Sequence, residues 1–96
     1  MQIEERVYNG DRAREVLENE AFISAFASVE LEVTEKWKNS PARDEAGREK
    51  LWLLLWALKQ VQSALTTTLE TGKLARMELN QRQSLRDRAK DWLTQS

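Results

Sequence analysis

The residues of this chain best suited to chemistry are its four tryptophans and a cluster of bases near the C-terminus, and in both cases the chemistry is recognition rather than catalysis. Trp52 and Trp56 stand one helical turn apart and share a face. That spacing makes a flat aromatic ledge suited to a helix–helix contact. Base stacking would need cations interleaved with the rings; only Arg48, Lys50 and Lys59 are near. Trp37, Trp52, Trp56 and Trp92 are therefore read as core or subunit-contact residues. Arg76, Arg82, Arg86 and Lys90 form the second candidate set, since a positive amphipathic helix can track phosphates. Acids interrupt them, however, in Arg86-Asp87-Arg88 and Lys90-Asp91. That alternation favours pairing with acidic helices of the same chain or of a neighbour.

The remaining chemical options are thin. Histidine and cysteine are both absent, which removes the commonest general base, the thiolate nucleophile and thiol-based zinc sites. The acidic pairs Glu4-Glu5, Glu30 with Glu32, and Asp44-Glu45 have no third ligand at a fixed spacing and read as solvated faces or caps. Glu70-Thr71-Gly72-Lys73 lacks the upstream glycine of a phosphate loop. No catalytic residue, cofactor or metal is expected.

The elements that must hold these side chains are helices. Of 96 residues, 32% are charged, and there are only three glycines and one proline. That composition suits one small helical domain. The net charge of −1 gives no bulk attraction to nucleic acid or membrane. Charge is polarised all the same: residues 1–36 hold nine acids against four bases, whereas residues 73–96 hold six bases against three acids. The acidic N-terminus does not read as a signal peptide, and the longest apolar run is too short for a bilayer.

Residues 1–10 are expected as an irregular arm, with Asn9-Gly10-Asp11 as a turn and Asp11 as a cap. A short helix should follow over 11–18. Asn19 caps a second helix over 20–39, whose apolar positions Phe22, Phe26, Val29, Val33 and Trp37 recur at helical spacing; one bent helix from Asp11 to Asn39 is the alternative. Ser40-Pro41 ends it. Asp44 caps a third helix over 44–71, the alternative start being a Ser40 cap with Pro41 in the first turn. Gly72 either stops that helix or dents a continuous one; a basic amphipathic helix over 74–93 is expected beyond it.

Within the third helix, Leu51-Trp52-Leu53-Leu54-Leu55-Trp56 points all round the axis. Leu51, Leu54, Leu55 and Leu58 can form one buried stripe, continued by Val61 or Gln62, Leu65 and Leu69. Trp52, Leu53 and Trp56 are left over as a protein interface.

Two segments carry a family resemblance. Tyr8 to Phe22 contains Arg12-Ala13-Arg14-Glu15-Val16-Leu17, and Ser40-Pro41-Ala42-Arg43-Asp44 leads into the Leu/Trp-rich helix, which nears its end at Gly72-Lys73. Over residues 8–75 the chain resembles a family of small all-helical proteins of tailed bacteriophages and prophages. The resemblance implies a place near virion assembly or DNA packaging, in the host bacterial cytoplasm or with the virion, and supplies no catalytic motif.

The expectation is thus an all-α chain: a small helical bundle on an antiparallel helical hairpin, with a short N-terminal helix and a basic C-terminal one. It would act by contact with a phage or host protein and self-associate, a homodimer being simplest. A nucleic-acid-binding packaging or regulatory accessory and a small host-directed inhibitor are the alternatives; no membrane is involved.

Overall fold

The computed structural model describes residues 1–95. Three helices account for nearly all of them: α1 (Ile3–Glu18), α2 (Glu20–Asn39) and α3 (Glu45–Gln95). Among the described residues there is no strand.

The breaks follow local chemistry. Asn19 is extended, with φ −71° and ψ 119°, and its side-chain oxygen accepts from the Phe22 amide at 2.9 Å. That cap separates α1 from α2. Ser40 is extended because Pro41 follows. Its hydroxyl donates to the Trp37 carbonyl at 2.6 Å, satisfying one of the last free acceptors of α2. Asp44 then opens α3, accepting from the Gly47 amide at 3.0 Å. Of the two possible starts, the chain uses Asp44.

Two boundaries differ from the sequence expectation. Residues 1–10 are not an irregular arm, since α1 begins at Ile3 and runs through Asn9-Gly10-Asp11 without a turn. Nor do separate helices occupy 44–71 and 74–93: α3 is a single helix of 51 residues passing through Gly72. No glycine has a positive φ, so Gly72 makes no left-handed stop.

Both departures have one cause. Gly10 and Gly72 face each other where α1 packs on α3, and a Cβ built on Gly10 would lie 2.7 Å from the Gly72 Cα. The reciprocal Cβ on Gly72 would meet the Gly10 Cα at 2.7 Å and the Arg6 carbonyl oxygen at 3.0 Å. Each glycine costs its helix about 1 kcal/mol relative to alanine. Backbone packing at the crossing offsets that cost, so a tertiary contact overrides a local stop signal. Ala13 and Ala75, one turn further along each helix, are buried beside the pair.

Trp37 and Ser40 meet Arg48, Glu30 and Thr34 lie beside Trp52 and Leu55, and Asp11 meets Arg76. The half-buried apolar residues of α2 are Phe22, Phe26, Val33 and Trp37, and Leu51, Leu55, Leu58 and Leu65 are half-buried on α3. Val29, Leu54 and Val61 were expected in the α2–α3 seam but are exposed, having rotated out of the narrow strip that one neighbouring helix covers.

The expected compact bundle is not what forms. The molecule measures 80 × 24 × 16 Å, and its radius of gyration is 21.9 Å, against about 12–13 Å for a compact domain of this length. It exposes 7803 Å², whereas a compact 11.2 kDa monomer exposes about 5,700 Å². Among the described residues, the buried apolar side chains are only Ile3, Ala13 and Ala75. From Asn80 to Gln95, α3 is exposed throughout.

Candidate protein-interaction surface

One end of the molecule is held by Arg48. Its Nη1 donates to the Trp37 carbonyl (3.2 Å), the Ser40 carbonyl (3.2 Å) and the Ser40 hydroxyl (2.9 Å). The guanidinium also lies over the Trp37 ring, 4.6 Å from its centroid. This staple ties the end of α2 to the first turn of α3 and fixes their spacing. Trp37 is half-buried beneath it, so the reading of that tryptophan as a packing residue holds.

Just beyond the staple, α2 and α3 enclose an open groove of about 420 Å³ lined by Glu30, Thr34, Trp52, Leu55, Trp56 and Lys59. Leu55 is half-buried, while Trp52 and Trp56 remain 54% and 52% exposed. Glu30 and Lys59 bring one charge of each sign. The expected ledge is thus brought together on one face, but Leu53 does not belong to it. Leu53 is exposed and lies outside the groove, because a residue next to Trp52 is rotated by about 100° around the helix.

The candidate cations are dispersed. Arg76 pairs with Asp11 of α1 at 2.9 Å, and Arg82 pairs with Glu78 at 2.8 Å. The expected pairing of C-terminal bases with N-terminal acids is therefore present at Arg76. Arg86 and Lys90 make no ion pair among the described residues and lie on the exposed part of α3. Trp92 is 70% exposed. It packs into no core of its own chain, and neither do Trp52 and Trp56.

Chemically, the groove offers an apolar floor, two indoles and two opposite charges. Among the described residues, no three acidic side chains gather as metal ligands, and no helix is long and apolar enough to cross a membrane.

Three features escaped the sequence reading: the Arg48 staple, the contribution of Glu30 and Thr34 to the groove, and the glycine crossing. Only the last left a signal, since Gly10 and Ala13 match Gly72 and Ala75 as small residues three apart. The chain matches no protein-family model, no curated protein and no solved structure.

Proposed function

We propose that this chain is a non-enzymatic helical interaction protein, a structural or assembly accessory of a tailed phage or prophage. It works in the host cytoplasm or with the virion. Its framework is an antiparallel helical hairpin of α2 on α3, prolonged by α1. The observation that carries this reading is the pair of exposed indoles, Trp52 and Trp56, beside an apolar groove on a chain with almost no buried core. Large aromatic surface of that kind marks a contact site. The phage setting rests on the family resemblance of residues 8–75.

Replacing Trp52 and Trp56 together by lysine tests it. Both side chains are exposed, so helicity by circular dichroism should persist while the assembly mass in sedimentation falls. Unchanged mass with intact helicity would remove this interface.

A second reading, nucleic-acid binding, is favoured by one observation: Arg82, Arg86 and Lys90 recur every four residues along the exposed end of α3. It requires DNA retention at low salt that falls steeply as salt rises. No retention at low salt ends it.

A further inference from the structure

We propose that the groove is filled by a second copy of this chain, which lies antiparallel along α3 with Leu74 at the two-fold axis and places its Trp92 between Trp52 and Trp56. This rests on the interaction reading above and names the partner.

The first argument is spacing. Trp56, Leu74 and Trp92 are eighteen residues apart in turn, or about five full turns each. All three therefore fall on one line along the helix. The line passes over Ser63, Thr67, Gln81 and Leu85, and every one of these residues is exposed. It is turned away from the Thr68–Gly72–Ala75 side that meets α1. Among the described residues, no element of the same chain covers it. The line is also symmetric about Leu74, the condition for a self-complementary contact in which the first residue meets the second and the second meets the first. An antiparallel copy sets Leu74 on Leu74, and Trp56 of each chain on Trp92 of the other.

The second argument is area. The chain exposes 7803 Å², about 2,100 Å² more than a compact monomer of its mass. A standard interface covers about 800 Å² per partner, and obligate dimers cover more. One copy laid along α3 is the right size to remove the excess.

The third argument is charge. In this register Arg88 and Asp91, which precede Trp92 by four residues and one, approach Glu30 and Lys59 of the other copy at the groove. Each charge meets its opposite. The basic end of one chain lies over the acidic α2 of the other.

The chain contains no cysteine, so one can be introduced cleanly. Lys90→Cys, on the side of α3 away from the contact line, carries a nitroxide label without touching the interface. Lys90 lies sixteen residues beyond Leu74, so two labels in the antiparallel dimer stand about 48 Å apart along the axis, against under about 30 Å for a parallel pair. The expected result is a two-chain mass with a long dipolar distance near that value. A two-chain mass with the short distance overturns the register and leaves the interaction surface standing. A one-chain mass at the highest soluble concentration overturns the second copy as occupant. Trp92→Ala supplies an independent reading: it should raise the dimer dissociation constant at least tenfold, as Trp56→Ala should. If Trp92→Ala dimerises as tightly as the parent chain while Trp56→Ala does not, the groove is real and its occupant is not Trp92.

Discussion

Where α1 packs on α3, two residues without side chains meet, Gly10 and Gly72, backbone to backbone. Where α3 carries its largest side chains, at Trp52, Trp56 and Trp92, the rings face outward. Burial here runs opposite to side-chain size. The crossing depends on what is missing at two positions, because dispersion attraction grows as helix axes approach and a single Cβ would hold them apart. The aromatic face depends on bulk that this chain does not enclose. On the proposed reading, folding and association fall to different residues, and substitutions should separate them.

The largest effect should come at the crossing. Gly72→Val gains helix propensity but puts a branched side chain against the Gly10 backbone, which cannot move aside. Overpacking of this kind costs about 1–3 kcal/mol, and we expect the upper end, a fall in Tm of more than about 10 °C. An equal or higher Tm by circular dichroism would break the comparison.

Next is Arg48→Ala. It removes three donated hydrogen bonds and the cover over Trp37. A loss of about 2 kcal/mol is expected from the urea midpoint. Arg48→Lys should recover only part, because an ammonium cannot lie flat on the ring.

The caps rank third: Asn19→Ala and Asp44→Ala should each cost about 1 kcal/mol. Their effects should add, since they cap different helices, Asn19 at the start of α2 and Asp44 at the start of α3. The smallest effect belongs to Asp11 and Arg76, a largely exposed pair at 2.9 Å. A double-mutant cycle should give a coupling of about 0.2–1 kcal/mol, shrinking with added salt. A coupling several times larger would mean that ionic contact, not glycine packing, holds α1 to α3.

Much of the helical framework was legible in the residues. The recurrence of Phe22, Phe26, Val29, Val33 and Trp37 placed α2, and Asn19 and Pro41 fixed its boundaries, as Asp44 did the start of α3, through capping and proline chemistry that act within four residues. What was not legible depended on distant contacts. Asn9-Gly10-Asp11 carries a turn signal and Gly72 a stop signal, and only the partner sixty residues away converts both into helix interior. The exposed tryptophan pair could be read from Leu51–Trp56, because six adjacent residues surround an axis. The other wall of the groove could not, because Glu30 and Thr34 have no periodicity that marks them.

The last sixteen described residues of α3, from Asn80 to Gln95, are exposed throughout. A helix of that length is only marginally stable in water without tertiary support. Its amides should therefore exchange with deuterium within the first moments of dilution and become protected once another polypeptide lies along them. The segment is in effect a built-in occupancy gauge, readable amide by amide at the far end of the molecule from the Trp52–Trp56 groove.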